Sequence, residues 1–348
     1  MDNIQEQQKF LREAEEARLL RLDGMKLREE YHHIIDEYIK KHDDISQELE
    51  DILNRGVYCG AGLKKGGILF TSINPSYPLY DRKPEDELPA NFLKECKGKK
   101  HWQPYVDIAE TFPDKNVGYI DLFPIRESSQ TLFEKVVPTE LKSELLRLTM
   151  KKIWESEPYI IIHTNKKSEF YWGTVEKHPW MGYKLLPIED ERLSAKGTLY
   201  QIIGVTGTPE SIMLDEIDCS RMNGCFLFLT SFNRPWKETK EEFEPKRLNA
   251  DDVHYLWEKA MLYHEIEKLR GYLKASDNLE EAISIMRMAK TEEDCKKALE
   301  QELGLTTLQA NSVFSLSLSE LTELDSERIK AEIAETKKLL SLQDKEQI

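Results

Sequence analysis

The sequence predicts an α/β protein: a three-layer domain with a central, mostly parallel sheet, flanked by N-terminal helices and followed by a C-terminal antiparallel coiled coil with a small helical tip. Three observations lead to this prediction. Both ends of the chain have helical periodicity and lack proline, whereas all but one of the six tryptophans lie in the middle. There, short apolar runs alternate with helical stretches, which is typical of a parallel sheet buried on both faces. At 348 residues the chain can form two or three units, which we place at residues 1–56, 57–245 and 246–348.

The N-terminal segment, residues 1–56, has an apolar stripe at mostly helical spacing. Its members are Leu20, Leu27, Tyr31, Ile34, Ile35, Tyr38 and Ile39. Asp43 and Asp44 interrupt the pattern, a second apolar set resumes it, and Gly56 ends it. The segment therefore predicts one long helix or two shorter ones, and the stripe requires a partner surface that covers it.

The middle segment contains four apolar runs that are typical of strands, and one weaker candidate. The four are residues 67–73, 117–123, 158–163 and 225–231, and the weaker one is 199–205. Between the second and third runs, residues 138–156 place Leu141, Leu145 and Leu148 on one helical face. Continuous apolar runs separated by helices predict a parallel sheet with helices on both of its faces.

The C-terminal segment, from residue 246, is helical again. Two stretches repeat apolar side chains at steps of three and four, the first from Val253 to Leu273 and the second from Ile329 to Leu340. A block of short helices, about residues 276–326, lies between them. Two long arms on either side of a compact block predict an antiparallel coiled coil with a knob at its tip.

Composition argues against several classes of protein. No apolar run approaches the roughly 20 residues that cross a bilayer, and the N-terminus lacks the pattern of a secretory signal, so we expect no membrane partner and a cytoplasmic location. The five cysteines are scattered without the close pairs of a metal site, so neither a metal nor a cofactor is predicted. The net charge of −15 opposes nucleic-acid binding. The middle segment is nearly neutral, however, at −3, and its lysine clusters can hold a phosphate backbone.

Polar, cationic or aromatic side chains follow each of the main predicted strands. They are Asn74, Ser76 and Tyr77 after the first strand, Arg126 and Ser128 after the second, Lys166 after the third, and Asn233 and Arg234 after the fourth. Ligands of open parallel sheets bind beyond the carboxyl ends of the strands, so these residues predict a binding site at that edge. Loop ends are usually polar, and an ordinary loop surface is the alternative interpretation.

Three stretches of the C-terminal segment follow one another in a recognisable order: RGYLKASDNLEEAI at residues 270–283, LGLTTLQA at 303–310 and LSLSELTELD at 316–325. In order, spacing and residue type they resemble the coiled-coil gate of the A subunit of bacterial gyrase and topoisomerase IV. The resemblance covers residues 258–342. In that family the segment holds two subunits together and carries no chemistry. It therefore implies a homodimer formed through residues 258–342, and it does not imply strand passage.

Two short motifs of the middle segment, INPS at residues 73–76 and DLFPIR at residues 121–126, each come at the end of a predicted strand. Together with the final strand and its polar loop, they resemble the uracil-DNA glycosylase superfamily over residues 65–240. The resemblance implies that a base is cleaved from deoxyribose through an oxocarbenium-like sugar. The substrate would be DNA, as a duplex or a single strand. Asn74 would hold the attacking water, while Asn233 and Arg234 would occupy the place of the motif that stabilises the departing base.

The same resemblance implies how the base is bound. It would leave the helix and enter a pocket, where aromatic rings stack on it and polar groups read its edge. The residues expected to bind the base are Asp121, Phe123, Tyr77 and Ser76, and those expected at the phosphate are Arg126, Ser128 and Lys166. The family's second motif normally ends in Pro-Ser, whereas Arg-Pro-Trp follows Asn233 here.

Three functions stay open on the sequence. The preferred one is a homodimeric DNA glycosylase that excises a modified or unusual base. The second is a non-catalytic nucleotide- or DNA-binding module with a glycosylase-like fold, which the altered second motif and the acidic total charge favour. The third is an interaction scaffold in which only the arms matter. Asn74 and Arg126 favour the first two over the third.

Overall fold

The structure of the chain is a computed structural model. It describes residues 2–59, 63–77, 96–100, 102–112, 116–175, 180–205, 222, 224–233 and 237–343, with side chains from residue 11 to residue 341. The predicted fold class is confirmed, because a six-stranded, mostly parallel sheet is packed between helices and followed by a C-terminal helical region.

The six strands of the described residues lie in the spatial order β2-β1-β3-β6-β5-β4. Their bounds are β1 Ile68–Ser72, β2 Val117–Asp121, β3 Ile160–His163, β4 Tyr183–Ile188, β5 Gly197–Val205 and β6 Phe226–Thr230. The first four in this order are parallel, and β5 and β4 are added antiparallel. All five predicted strands are present. The additional strand, β4, lies at the edge of the sheet and is mostly exposed, so it lacks the long apolar run of the buried strands.

The carboxyl ends of the four parallel strands meet at one edge of the sheet, called the carboxyl edge below. Ser72 of β1 pairs with Asp121 of β2, and Thr71 pairs with His163 of β3. The chain passes from β1 to β2 on one side and then crosses to β3 on the other side. A topological switch point therefore lies between β1 and β3, and ligands of open α/β sheets bind in the crevice at such a point.

Helices cover both faces of the sheet and produce the predicted three layers. Those that precede or connect the first three strands are α1 Asp2–Lys41, α2 Gln47–Leu53, α3 Gln103–Glu110, α4 Gln130–Val136 and α5 Thr139–Glu155, and after the sheet come α6 Lys240–Phe243 and α7 Ala250–Asp277. Leu69 and Leu227 point into a core shared with α1, α2, α4 and α5. Phe70 and Phe228 point into a second core, which α3 and the start of α7 complete.

The N-terminal segment forms the long helix α1 and the short helix α2, which combines the two predicted arrangements, and the helices are separated where Asp43 and Asp44 interrupt the pattern. Leu27, Tyr31 and Ile35 of the stripe are buried in the core shared with α5. The hydroxyl oxygens of Tyr31 and Thr149 lie 2.6 Å apart, and Thr149 also donates to the carbonyl of Leu122 at 2.8 Å. The partner surface that the stripe requires is therefore the α/β domain itself.

The C-terminal segment is an antiparallel pair of long helices, α7 and α12 (Ser326–Gln343), joined by a compact tip. The tip consists of α8 Leu279–Met288, α9 Glu292–Glu302, α10 Thr307–Phe314 and α11 Leu318–Thr322. At the junction with the tip, the hydroxyl oxygens of Ser276 and Ser326 are 3.1 Å apart. Along the arms, Ile266 and Leu269 pack against Ile329. The tip lies where the sequence places the block of short helices, at residues 276–326.

The first arm begins within the α/β domain. Leu256 of α7 is fully buried in the core on the sheet. One turn further on, the ammonium nitrogen of Lys259 lies 2.7 Å from the carboxylate of Asp190, in the β4–β5 connection, and both side chains are almost fully buried. The hydroxyl of Tyr255 donates to the same carboxylate at 2.9 Å. The first turns after the predicted boundary at residue 246 thus share the core of the domain.

Within these described stretches, no helix has the length and apolar character needed to span a bilayer. Four cysteines are buried and not in disulfides, namely Cys59, Cys96, Cys225 and Cys295. The same stretches contain no group of three or more side chains that could jointly ligate a metal ion.

Candidate functional site

Asn74 follows β1 at the switch point, and its side chain connects two loops. The amide nitrogen donates to the carbonyl oxygens of Glu127 at 2.7 Å, Ile125 at 3.1 Å and Pro75 at 3.2 Å. These bonds fasten the loop after β1 to the loop after β2. The amide oxygen accepts no hydrogen bond from the described residues, so it is the part of the side chain that can bind water or a ligand.

A cation–aromatic cluster, formed by Arg55, Tyr77 and Arg126, lies beside these loops. The guanidinium carbons of Arg55 and Arg126 are each 5.0 Å from the centre of the Tyr77 ring. Arg55 also forms an ion pair with the buried carboxylate of Glu127. Because Ile125 and Glu127 both accept from the Asn74 amide, the side chains of Asn74 and Arg126 belong to one local structure. Arg126 is itself buried, with an exposed fraction of 9%, so the cluster presents little positive charge to solvent.

Asp121, the last residue of β2, carries a carboxyl group that is almost completely removed from water. Its exposed fraction is 8%, and the Tyr119 hydroxyl donates to its Oδ1 at 2.7 Å. Burial raises the pKa of Asp121 to about 7, against the opposite effect of the Tyr119 hydrogen bond. Near neutral pH the group is therefore present in both its protonated and its ionised form. A buried acid with a shifted pKa at a ligand-binding edge is a candidate functional group.

Aromatic rings line the neighbourhood of Asp121. The rings of Tyr105, on α3, and Tyr119 meet edge to face with their centres 5.4 Å apart. The Tyr105 hydroxyl lies 2.8 Å from that of Thr164, directly after β3, and its ring centre is 4.8 Å from that of Phe232, after β6. Tyr105 therefore connects the carboxyl ends of three strands around the Asp121 carboxyl group.

His163 ends β3 and has a structural role. It is fully buried, with Nδ1 2.9 Å from the Thr71 hydroxyl and Nε2 2.8 Å from the Ser168 hydroxyl. Burial lowers the pKa of His163 to about 3, so its imidazole is neutral near pH 7. With both ring nitrogens engaged, it has no atom left to act on a substrate.

Phe123 does not take part in the site. It is fully buried and packs against Phe133 and Tyr171, with ring centres 5.0 Å from each. The chain turns back into the core after β2, so neither face of the ring can stack on a base. The sequence expectation for this residue is wrong, and the half-buried Phe232 contacts Tyr105 in the neighbourhood of Asp121.

The other predicted site residues lie at the rim. Ser76, Ser128, Lys166 and Asn233 are exposed, and Lys166 begins a 3₁₀ helix after β3. The Ser128 hydroxyl accepts from the backbone N–H of Tyr77 at 2.9 Å. Arg234 lies outside the described residues. Asn74, Tyr77, Arg126 and Ser128 thus lie on the two adjoining loops after β1 and β2, and Asp121 ends β2.

Sequence reasoning missed two contributors, Arg55 and Tyr105. Thr164 follows a strand directly, so the rule that found Asn74 also reaches it. Arg55 lies between the end of α2 and Val57, which bridges to Ile125. No local pattern signals that pairing. Tyr105 is one of several aromatic residues on a short helix, and only the packing of α3 on the sheet selects it.

No family model matches the chain. Curated relatives that match part of it include the A subunit of DNA gyrase from Deinococcus deserti, 35% identical over 72 residues (21% of this chain, 9% of the relative). The same protein from Clostridium acetobutylicum is 36% identical over 84 residues (22% and 10%), and that from Campylobacter jejuni 34% identical over 70 residues (20% and 8%). The chain spans about a tenth of the length of these relatives. The matches support the resemblance of one segment to the A subunit of gyrase, and they do not support a glycosylase-like domain.

Proposed function

We propose that the protein is a homodimer that binds DNA, receives a modified or unusual base in a pocket at the carboxyl edge, and excises that base by hydrolysis. The observation that carries the proposal is the buried carboxyl group of Asp121, hydrogen-bonded by Tyr119. It lies at the edge where open α/β sheets bind ligands.

The protonation of Asp121 suits the recognition of a base edge. In its protonated form the group offers a donor beside an acceptor, and in its ionised form it offers two acceptors. The hydrogen-bonding edges of bases present donors and acceptors side by side, and enzymes that extrude a base read that edge in a pocket. The ring of Phe232, which is partly exposed, is the one that we expect to stack on the base.

In the proposed complex, cationic and hydroxyl side chains near the rim of the site would contact the phosphate backbone. The cation–aromatic cluster brings two guanidinium groups to one ring, and the exposed Lys166 and Ser128 follow β3 and β2, the strands on either side of β1. The chain as a whole has a net charge of −15. We therefore expect a narrow contact with few phosphates, and an affinity that falls as salt rises.

Asn74 limits the rate of the proposed reaction. Its amide nitrogen is used by loop carbonyls, which fixes the direction of the amide oxygen. That oxygen can hold a water against the sugar carbon, but an amide is too weak a base to take a full proton. Cleavage through an oxocarbenium-like sugar would then rely on stabilisation of the departing base, and turnover would be slow.

A non-catalytic base-binding module is the second candidate, and the hydrogen bonds of the Asn74 side chain favour it. An asparagine whose nitrogen holds two loops together has a structural reason to be present. Base recognition at Asp121 then needs no catalytic role for Asn74. The two candidates share the pocket and the partner, and they differ only in product formation.

The dimeric state rests on the C-terminal segment. The partly matching relatives are DNA gyrase A subunits, and the tip presents Met288 and Leu318 with exposed fractions of 80% and 61%. Exposed large apolar side chains on a compact tip suit contact with a second copy of this chain. The gyrase A similarity is also a reason to choose DNA as the partner.

Incubation with duplex and single-stranded oligonucleotides that carry deaminated, alkylated and oxidised bases tests the proposal. Abasic sites are detected by alkaline cleavage. We expect product on at least one substrate, loss of product in Asn74→Ala, and unchanged product in the control Asn54→Ala, which alters an exposed amide at the end of α2. Tight binding without product on every substrate would establish the non-catalytic module. Absence of both binding and product would overturn both candidates.

A further inference from the structure

A cavity of about 340 Å³ opens at the amino edge of the sheet, opposite to the carboxyl edge. It is lined by the connections that precede β1, β3 and β6, by Gln201 of β5, by the middle of α7 and by α10 of the tip. Its volume is at the lower end of the roughly 300–1,000 Å³ that small-molecule sites occupy. Nothing in the proposed reaction uses it.

Aromatic rings form one wall of this cavity. Tyr159 and His264 meet with ring centres 4.9 Å apart, and Tyr263 is held by an edge contact to Phe226 at 5.0 Å. Burial lowers the pKa of His264, which keeps the imidazole neutral near pH 7. The wall therefore offers uncharged ring faces to a planar ligand.

Two side-chain amides, those of Gln201 and Asn311, line the cavity from β5 and α10. Neither makes a hydrogen bond with the described residues. An amide presents a donor next to an acceptor, and this pattern complements the edge of a purine or a pyrimidine. The two amides come from different parts of the fold, so a bound molecule would contact the sheet and the tip together.

The charges around the cavity are compensated. Lys65 lies 3.3 Å from Glu157. Glu267 pairs with Arg270 and also accepts from the Gln309 side chain at 3.0 Å. No group of unpaired cations faces the cavity from the lining residues, and such a group is what a phosphate requires. The ligand that fits is therefore uncharged.

Two residues that border the cavity have positive φ angles. Gly224 has a φ of +90°, and a Cβ atom built there would meet no other atom within 4 Å. Glu157, with a φ of +43°, is the one non-glycine residue in the left-handed region among the described residues. Glu157 directly follows the C-cap of α5, and its backbone N–H donates to the carbonyl of Trp154 at 3.1 Å, so its left-handed conformation ends that helix. Both residues border the same space.

We propose that this cavity is a second ligand site, which takes an uncharged nucleoside between the aromatic wall and the amides of Gln201 and Asn311. Occupation would join α10 of the tip to the amino edge of the sheet. The nucleoside would thereby stabilise the position of the tip relative to the α/β domain. This inference is independent of the proposed excision reaction, because the two sites lie at opposite edges of the sheet.

Isothermal titration of the full chain with adenosine, guanosine, cytidine and uridine, and with their 5′-monophosphates, tests this site. We expect at least one nucleoside to bind with a Kd of about 1 mM or below and to raise the unfolding temperature. Its monophosphate should bind at least about tenfold more weakly, since Glu157 and Glu267 lie nearby and the lining has no unpaired cation. Equal binding of nucleoside and monophosphate, or no binding of any nucleoside, would overturn the proposal.

Variants separate this site from the carboxyl edge. Gln201→Leu combined with Asn311→Leu preserves side-chain size, and Ser315→Trp fills the cavity from the exposed end of α10; each should weaken nucleoside binding at least about tenfold. Asp121→Asn, at the other edge, should leave the affinity unchanged. Unaltered binding in both cavity variants, each with the wild-type unfolding temperature, would show that the nucleoside binds elsewhere and would refute the assignment.

Discussion

The C-terminal arms and the carboxyl edge of the sheet are held together in different ways. The arms are joined by apolar side chains that repeat along two helices, such as Ile266 and Leu269 against Ile329. At the carboxyl edge the contacts are polar and link residues far apart in sequence. The Asn74 amide reaches a carbonyl 53 positions away, and the Tyr105 and Thr164 hydroxyls are separated by 59.

This difference bears on how much of each region a sequence pattern alone can specify. A repeat of apolar residues at fixed spacing specifies an arm almost by itself, and the partial matches to gyrase A are confined to about a fifth of the chain. A site built from single side chains on separate strands leaves no continuous pattern. Its chemistry has to be inferred from the assembled geometry.

The largest expected effect concerns the tip. Replacing both Met288 and Leu318 by aspartate should halve the mass measured by light scattering, because charges in an apolar contact between copies are not compensated. The control is Leu339→Asp, which places the same charge on an exposed position of α12. If both variants keep the wild-type mass, then either the contact lies elsewhere or the chain is not a dimer.

The second prediction asks how firmly the arm is joined to the domain. Lys259→Met should lower the free energy of unfolding by about 3–5 kcal/mol, because it leaves the Asp190 carboxylate buried without its cation. Urea unfolding measures this. Adding Asp190→Leu to the same protein should recover most of the loss, since a buried pair replaced by apolar side chains is often neutral. A loss below about 1 kcal/mol would place the pair among weak surface pairs.

The sequence was sufficient for most of the fold but for only part of the site. Continuous apolar runs located five strands, because burial on both faces leaves a direct signal; the edge strand β4 left none. Polar residues after strands located Asn74 and Arg126, because the carboxyl ends of parallel strands share an edge. The position of Phe123 could not be derived, since whether the chain turns inward or outward after β2 depends on packing with α4. The burial of Asp121 likewise depends on packing that the sequence pattern does not specify.

The third prediction uses the pKa of Asp121, which burial raises from 3.8 to about 7. The folded state then holds a proton that the unfolded state has lost, so stability from this group is complete below about pH 4 and is lost as pH rises through 7. Relative to Asp121→Asn, the wild type should lose up to about 4 kcal/mol between pH 4 and pH 8. Urea unfolding of both proteins across this range measures the difference. A difference that does not change with pH would mean that the carboxyl group is solvated.

The fourth prediction compares two amides at opposite edges of the sheet. Asn74→Ala removes hydrogen bonds to three carbonyls and should cost about 2 kcal/mol of unfolding free energy. Asn311→Ala removes an amide that makes no hydrogen bond with the described residues, and it should cost less than about 0.5 kcal/mol. If both variants lose the same unfolding free energy, the structure does not distinguish the Asn74 amide, which supports the fold, from the Asn311 amide, which is available to a ligand.

The smallest expected effect concerns the cation–aromatic cluster. Tyr77→Leu keeps an apolar side chain but removes the ring that contacts the guanidinium groups of Arg55 and Arg126, and partly exposed cation–π contacts contribute about 0.5–1 kcal/mol each. We expect a loss of about 1 kcal/mol in unfolding free energy, together with weaker binding of oligonucleotides. Tyr77→Phe is the matched control and should retain both properties, because the contact requires the ring and not the hydroxyl. If Tyr77→Phe weakens oligonucleotide binding as much as Tyr77→Leu does, the group that contacts the nucleic acid is the hydroxyl and not the ring.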